Sequence, residues 1–481
     1  MENNQQNILK IGIVGKRDIT ANSEIRGKIK TTISKILKHE RVKSFLAYSA
    51  MAKGADTIFA DVVNKEFSQP IKIVLPFDSC EYEKDFTDKE SLAEYKSAIS
   101  KFSISEVVTK SIPTNQEQRN DAYFKVGKYI SDSCNYIIFI WDELKPRGKG
   151  GTAEILGYAS QCGHLKGIEI IKVQPRRTDE INQEINSLLS NSDYKAVAIK
   201  KKYQDIWFVT IALGVLTAVC LALAISFEFN TVTKFFLSSL KILFIISGFI
   251  LIKLTKVFEL HPRLLKERLR AEKLRLLATY YHSDIPVEVS DITQEIDKEL
   301  TSITIKVNSS IKNSYQSKWY KYYAIKSLIS GQINYHKNLS ENVIGSKPFK
   351  LELSKKIIYW VWFYIIFSHF FSLFLANFNI YIPILSDYHY PHELVNFFIL
   401  ALPALYAAIE GLLYFKEWGD FKKQSDSMIT YLSAEQIKLD ESGFNIEKFF
   451  QILNSVSNAM LADNKNWTLV LSKREAPHPI L

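Results

Sequence analysis

The chain has 481 residues, 23% of them charged, with a formal net charge of +10. This length is too great for one compact domain, and long apolar runs exclude a purely soluble globular protein. The four cysteines, Cys80, Cys134, Cys162 and Cys220, lack CxxC or paired metal spacing, so we predict no metal site.

The first third of the chain alternates short apolar runs with helical patterns. The predicted strands are Ile8–Val14, Ser44–Ser49, Ile71–Leu75, Ser105–Val108, Tyr136–Trp141 and Ile168–Val173. The predicted helices are Arg26–His39, Ala55–Phe67, Ser91–Phe102, Asp121–Ser133 and Thr152–Cys162. Such alternation predicts an α/β domain, residues 1–180, with a Rossmann-like doubly wound parallel sheet.

Three glycine-containing segments follow strands of this sheet. They read GIVGKRD, SAMAKGAD and PRGKGGTAE, and the third opens a helix with Thr152 as the expected N-cap. The candidate ligand-binding residues are Gly15, Lys16, Arg17, Ser49, Gly54, Asp56, Gly148, Lys149, Gly150, Gly151, Thr152 and Glu154. Glycines let the backbone approach an anion, and N–H groups at a helix start attract one.

The position of these segments favours a nucleotide-like ligand. The carboxyl ends of parallel strands meet at one edge of a sheet, where open α/β sheets bind ligands. The alternative, that the glycines only form tight turns between strand and helix, stays open for each segment taken singly.

The rest of the chain predicts an all-α membrane domain with four transmembrane helices in two hairpins. Residues 206–227 and 235–254 form the first hairpin, within a region 200–345. Residues 357–378 and 394–415 form the second, within a region 350–481. Each run has about 20 residues, enough to cross ~30 Å of hydrocarbon, and the remainder reads as cytosolic helices.

The basic residues flank these runs on one side. They are Lys200–Lys202, Lys253–Arg275, Lys355–Lys356 and Lys416–Lys423. In the two loops on the opposite side, Lys234 is the only Lys or Arg. The positive-inside rule therefore predicts a multi-pass inner-membrane protein with cytoplasmic N- and C-termini. Topology accounts for much of the net charge, so no nucleic-acid partner is expected.

Polar residues inside the spans are pore-lining or gating candidates. They are Lys241, His369 and Glu410. An equally open alternative is that they are snorkelled charges and a helix-to-helix hydrogen bond. Lys241 and Glu410 lie near opposite membrane surfaces, so we do not expect them to pair. Pro403 predicts a kink in the fourth span.

Several longer sequence segments resemble those of known domain families. GIVGKRD, AYSAMAKGADTIFAD, VLPFDSCEYEKDF and IIFIWDELKPRGKGGTAEI, within residues 8–175, resemble the SLOG superfamily of Rossmann-like domains. Lys16 stands where one branch of that superfamily has His, so no role of that His is carried over. The strings RLRAEKLR after one hairpin and QINYH before the next, with Trp467, resemble SLATT two-transmembrane effector domains.

These resemblances imply a nucleotide-signal-gated effector of bacterial antiphage defence. The implied ligand is an ADP-ribose-like or cyclic nucleotide second messenger, and no other cofactor is implied. The spans would form a pore or disrupt the membrane, and because four helices enclose little lumen, we expect a homo-oligomer.

Catalysis is disfavoured. Catalytic LOG members of the superfamily carry Glu three residues after Thr in PGGxGTxxE, but here Ile155 has that position. Glu154 is one residue earlier, a rotation of about 100° on a helix. We predict no catalytic residue. The alternatives are a membrane-anchored nucleosidase or NAD-consuming hydrolase, and a non-catalytic membrane scaffold.

Overall fold

The computed structural model describes residues 8–19, 22–175, 179–287, 297–311, 315–377, 392–416 and 418–472. The chain forms two compact units. The sheet unit consists of Met1–Ser187, Lys273–Ile329 and Glu435–Asn458. The helical unit consists of Leu188–Glu272, Ser330–Ala434 and Ala459–Leu481.

The sheet unit is built on six parallel strands. They are β1 Leu9–Gly15, β2 Phe45–Ser49, β3 Ile71–Leu75, β4 Ser103–Val107, β5 Tyr136–Trp141 and β6 Gly167–Lys172. Their spatial order is β4-β3-β2-β1-β5-β6, and every neighbouring pair is parallel. The predicted parallel sheet is therefore confirmed. The order reverses at β1, which lies between β2 and β5, so the edge there is a topological switch point.

Burial explains the sheet order. All six residues of β5 are buried, as expected for a central parallel strand covered on both faces. β4 lies at the sheet edge and has no buried residue. On one face, Ile11 and Ile138 belong to the same buried cluster as Ile29 and Ile33 of the first helix.

The helices between the strands follow the expected alternation. They are α1 Ser23–Glu40, α2 Ala55–Val62 with a π-helical turn Val63–Phe67, α3 Ser79–Tyr82, α4 Lys89–Lys101, α5 Gln116–Ser133 and α6 Thr152–Ala159. Asn22, Asp88 and Asn115 cap α1, α4 and α5 with side-chain oxygens that accept backbone N–H groups. The sequence reading missed α3 and extended α6 to Cys162.

Long helices make up the rest of the described chain. They are α7 Glu180–Ser226, α8 Thr231–Val257, α9 Leu260–Ser283, α10 Lys298–Ile311, α11 Lys318–Lys337, α12 Lys347–Asn377, α13 His392–Lys416, α14 Trp418–Asp440 and α15 Ile446–Ser472. A π-helical turn, Asn338–Ile344, follows α11. The helices α7, α9, α11, α14 and α15 have residues in both units.

Three helical stretches in the described part of the chain are long and apolar enough to cross a membrane. They are Glu180–Ser226, Thr231–Ser283 and Glu393–Leu413. The predicted third span, 357–378, falls in α12 up to residue 377. The side chain of His369 lies outside the described residues. The number of spans beyond these three stays a prediction.

Helix α12 pairs with α13 through a hydrogen bond in the helical unit. The indole Nε1 of Trp362 donates to the carbonyl oxygen of Ile399 at 3.0 Å. Pro403 stands four residues after Ile399 and has no N–H, so this carbonyl lacks its usual helical donor. The indole supplies the missing donor.

The charged residues of the predicted spans have different surroundings. Lys355 Nζ lies 2.8 Å from Glu410 Oε2, and Lys355 also contacts Glu352. The sequence reading treated Lys355 only as a topology signal. No described acidic residue forms an ion pair with Lys241, and Glu410 pairs with Lys355.

Part of α11 packs onto the sheet within the sheet unit. Tyr320 is buried in one cluster with Trp141 and Ile155. Gly157 of α6 approaches the α11 backbone so closely that an added Cβ would lie 2.2 Å from the Trp319 carbonyl oxygen. Sequence periodicity held no sign of this packing, because the contacting residues are far apart along the chain.

His282 of α9 is held within the same unit. Its Nδ1 lies 3.0 Å from the Tyr320 hydroxyl, and its Nε2 lies 3.2 Å from Asn182 Oδ1. A hydroxyl donor on one nitrogen and an amide acceptor on the other suit a neutral imidazole. Burial lowers the pKa of His282 to about 4.

Candidate functional site

The loops after β1 and β2 meet at the carboxyl edge of the sheet. The Ala55 N–H donates to the Lys16 carbonyl at 3.1 Å. Gly54 has φ +91°, and a Cβ there would lie 2.6 Å from the carbonyl oxygens of Lys16 and Arg17. Gly15 is equally confined, since its Cβ would lie 2.3 Å from that of Ala55. These two glycines therefore permit the close approach of two loops.

Lys16 is held by the chain itself. Its Nζ lies 2.9 Å from Asp142 Oδ2, just after β5, and Asp142 is buried. The Lys16 N–H donates to the Ile140 carbonyl at 3.2 Å. A ligand anion at Lys16 would therefore share the ammonium group with Asp142.

Arg17 lies on an aromatic side chain of α5. Its guanidinium carbon is 4.6 Å from the centre of the Tyr123 ring, a cation–π distance. The residue as a whole is exposed. Arg17 therefore combines a fixed position with access to solvent, as an anion-binding side chain requires.

Asp56 is a buried carboxyl group at the start of α2. Its Oδ2 accepts the Ala52 N–H at 3.2 Å, and no described Lys or Arg forms an ion pair with it. Burial raises the pKa of Asp56 to about 7, although backbone N–H groups and Arg17 favour its charged form. Asp56 therefore titrates near neutral pH.

Ser49 shapes the loop after β2. It is fully buried, and its Oγ accepts the Met51 N–H at 3.0 Å. Met51 has φ +55°, an uncommon backbone conformation for a side chain of that size. The Ser49 hydroxyl thus stabilises the turn that positions Asp56.

An Arg–carboxylate cluster on the β3 side extends the site and was missed by the sequence reading. Arg119 of α5 donates to Glu81 at 2.6 Å and to Asp85 at 2.5 Å. The Tyr123 hydroxyl also donates to Asp85. The acidic run after β3 was visible in the sequence, but nothing there marked Arg119 as its partner. This cluster fixes the ring on which Arg17 lies.

The third segment packs against α5. Gly150 has φ +81°, and a Cβ there would lie 2.7 Å from the Asn120 carbonyl oxygen. Lys149 Nζ lies 2.5 Å from Asp121 Oδ1. Gly148 is less confined, because the nearest atom to its added Cβ is 4.0 Å away. Of the glycines in this third segment, Gly150 is thus the one that is required both by its positive φ and by the lack of room for a Cβ.

The start of α6 differs from the expected cap. Gly151, not Thr152, is the N-cap, and no side chain caps this helix. Instead Glu154 reaches back, and its Oε2 accepts the Gly150 N–H at 2.7 Å. This resembles a capping box shifted by one residue. The N–H groups of Gly151, Thr152 and Ala153 donate to no acceptor among the described residues.

Glu154 is buried and fully engaged. Its Oε1 accepts hydroxyl hydrogens from Tyr315 at 3.0 Å and from Ser317 at 3.4 Å. Burial raises the pKa of Glu154, opposed by these hydrogen bonds and the one from Gly150. The carboxylate therefore links the glycine loop to the segment that precedes α11.

The three predicted segments thus lie at one sheet edge. They bring together the Arg17 side chain, helix-start N–H groups that have no acceptor among the described residues, and the buried Asp56 carboxyl group. Most of the other charges are neutralised within the chain. No protein-family model and no curated protein sequence matches this chain.

Proposed function

We propose that this chain is a nucleotide-gated membrane effector of bacterial antiphage defence, with a SLOG-like sensor and SLATT-like membrane helices. The observation that carries the proposal is the combination of a parallel sheet that has a topological switch point with membrane-length helices in one chain. The ligand is an ADP-ribose-like or cyclic nucleotide second messenger.

The polar and charged groups at this edge of the sheet support an anionic ligand. N–H groups at the start of α6 point a partial positive charge at the sheet edge, and Arg17 adds a full charge. Both lie beside the switch point at β1, where open α/β sheets bind nucleotides. The buried Asp56 carboxyl can accept a ribose hydroxyl.

The helical unit supports a membrane location. Large apolar side chains are exposed along α8 and α12, among them Phe235, Phe236, Trp360 and Tyr364. Lipid would cover them. In the proposed topology two hairpins cross the inner membrane, both termini are cytoplasmic, and a homo-oligomer encloses the pore. Lys241, His369 and Glu410 are its gating candidates.

Helices with residues in both units supply a route for gating. Ligand binding to one conformation of the sheet unit shifts the population of that conformation. Because α7, α9 and α11 continue from one unit into the other, such a shift also biases the helical unit.

Dye-loaded liposomes carrying the full-length chain test this proposal. ADP-ribose or a cyclic nucleotide should cause dye release, and Arg17→Ala should raise the required concentration at least tenfold. Lys38→Ala is the matched control, because Lys38 is exposed near the opposite end of α1. Release that needs no nucleotide, or that neither nucleotide triggers, contradicts the proposal.

A hydrolase is the second candidate function, and Asp56 favours it. A buried carboxyl group with a pKa raised to about 7, at the carboxyl edge of a parallel sheet, suits general acid–base catalysis. The purified chain incubated with NAD and nucleoside monophosphates distinguishes the candidates. Turnover that Asp56→Asn abolishes supports a nucleosidase or NAD-consuming hydrolase, and stable substrates support the sensor.

A further inference from the structure

The carboxylate of Glu154 occupies the loop that the proposed function assigns to a ligand anion. Its Oε2 accepts the Gly150 N–H at 2.7 Å, and its residue is only 4% exposed. A phosphate oxygen at the same N–H would meet a buried negative charge. Two anions at one donor repel each other strongly in such surroundings.

Neighbouring basic groups are also neutralised by acidic side chains of the same chain. Lys16 pairs with Asp142, and Lys149 pairs with Asp121. Both lysines of the described site are therefore neutralised within the chain, whereas Arg17 forms no ion pair with a described acidic residue. Glu154 differs from Asp142 and Asp121 because two of its partners, Tyr315 and Ser317, lie far along the chain, after residues 1–180.

Those partners lie at the start of α11. The Tyr315 and Ser317 hydroxyls donate to Glu154 Oε1, and Ser317 Oγ also accepts the Tyr320 N–H at 3.1 Å. Ser317 thus caps α11 while it contacts Glu154. Helix α11 runs to Lys337 without interruption, and from residue 330 onward it belongs to the helical unit.

We propose that Glu154 is an internal competitor of the ligand: a phosphate group displaces its carboxylate from the Gly150 N–H, and this displacement frees Tyr315 and Ser317 at the start of α11. The inference rests on the proposed nucleotide function and specifies how the site is regulated. Without ligand, Glu154 holds the start of α11 in place. With ligand, that restraint is lost.

Close packing between α6 and α11 makes the coupling direct. Glu154 and Gly157 lie one turn apart on α6, and Gly157 contacts the α11 backbone at Trp319. A shift of the first turn of α6 therefore cannot leave the start of α11 unchanged, because packed interiors transmit small displacements.

The test measures nucleotide affinity on the full-length chain in lipid nanodiscs. The probes are ADP-ribose and inorganic pyrophosphate, titrated calorimetrically. Glu154→Gln keeps the side-chain shape but removes the charge, so the dissociation constant should fall at least tenfold. Glu143→Gln is the matched control, because Glu143 follows β5 at the same edge but forms an ion pair with Lys172. The affinity of the Glu143→Gln variant for each probe should stay within twofold of wild type.

Hydrogen exchange supplies an independent readout of the coupling. ADP-ribose should speed exchange of the amides in residues 315–325 of the wild-type chain. Tyr315→Phe removes one hydroxyl without changing the ring, so exchange there should be faster before any probe is added, and affinity should rise severalfold.

The outcomes separate the two proposals. If Glu154→Gln binds a probe as wild type does, or more weakly, Glu154 is no competitor and the inference fails while nucleotide binding stands. Probe binding with unchanged exchange at 315–325 overturns the coupling. If neither probe binds wild type or any variant, and a cyclic nucleotide titrated in the same way does not bind either, the proposed function fails and the inference with it.

Discussion

Replacing Trp362 by Phe removes the indole donor from the Ile399 carbonyl. In the wild-type chain this hydrogen bond is 3.0 Å long, and Pro403 denies the carbonyl its helical donor. The Phe variant leaves the Ile399 carbonyl without a donor, and in a membrane lipid would offer no replacement. We expect a loss of about 1–2 kcal/mol in the free energy of unfolding, within the range for an unpaired carbonyl.

A second substitution isolates that hydrogen bond from lost ring packing. Pro403→Ala restores an N–H that can donate to Ile399, so Trp362→Phe should cost less in the Pro403→Ala background. The coupling energy of this double-mutant cycle should be about 1 kcal/mol. Reversible unfolding in detergent micelles measures all four proteins. A coupling energy indistinguishable from zero would refute the role assigned to the proline.

Three further predictions concern the sheet unit, and each is measured as the free energy of unfolding. Gly157→Ala should destabilise the chain by about 1–3 kcal/mol because its Cβ would overlap the Trp319 carbonyl, whereas Gly163→Ala meets no neighbour within 4 Å and should be neutral. The pKa of Asp56 is about 7 in the folded chain and ordinarily 3.8, so folding favours its protonated form. The free energy of unfolding should therefore fall as the pH rises from 4 to 7, by up to about 4 kcal/mol relative to Asp56→Asn. His282 has a folded pKa of about 4 against an ordinary 6.5, so stability falls as pH drops from 6.5 to 4, by up to about 3 kcal/mol relative to His282→Asn.

Each of these predictions has a contrary outcome. Equal stability of the two glycine variants would show that α6 and α11 separate at no cost. If the curves of stability against pH for wild type and Asp56→Asn are parallel, the pKa of Asp56 is the same in the folded and the unfolded chain. For His282→Asn, a parallel curve would mean that solvent reaches the imidazole in the folded chain.

Strands were well predicted because a buried parallel strand is apolar along its length. Tyr136–Trp141 and Ile71–Leu75 have the predicted bounds, and their six and five residues leave little choice of register. The glycine segments were placed at the correct edge for a related reason. Parallel topology brings successive strand ends together whatever the loops contain.

The sequence did not predict side-chain contacts between residues that lie far apart along the chain. Tyr315 lies 161 residues from Glu154, and Lys355 lies 55 residues from Glu410. No periodicity relates such positions. The predicted Thr152 cap was wrong, because Thr152 already lies in the helix and Gly151 is the N-cap. Residue preferences at helix starts favour Thr over Gly as the capping residue, so they selected the wrong position.

The burial of Tyr320 against Trp141 and Ile155 has a consequence for how such chains can diversify. A recombination that exchanged only the first 180 residues would separate the sheet from the helix that covers one of its faces. The transplanted sheet would then expose apolar side chains to water and aggregate. Inheritance of a new sheet therefore requires residues 315–329 to travel with it, which ties the evolution of the sheet to that of the helix packed on it.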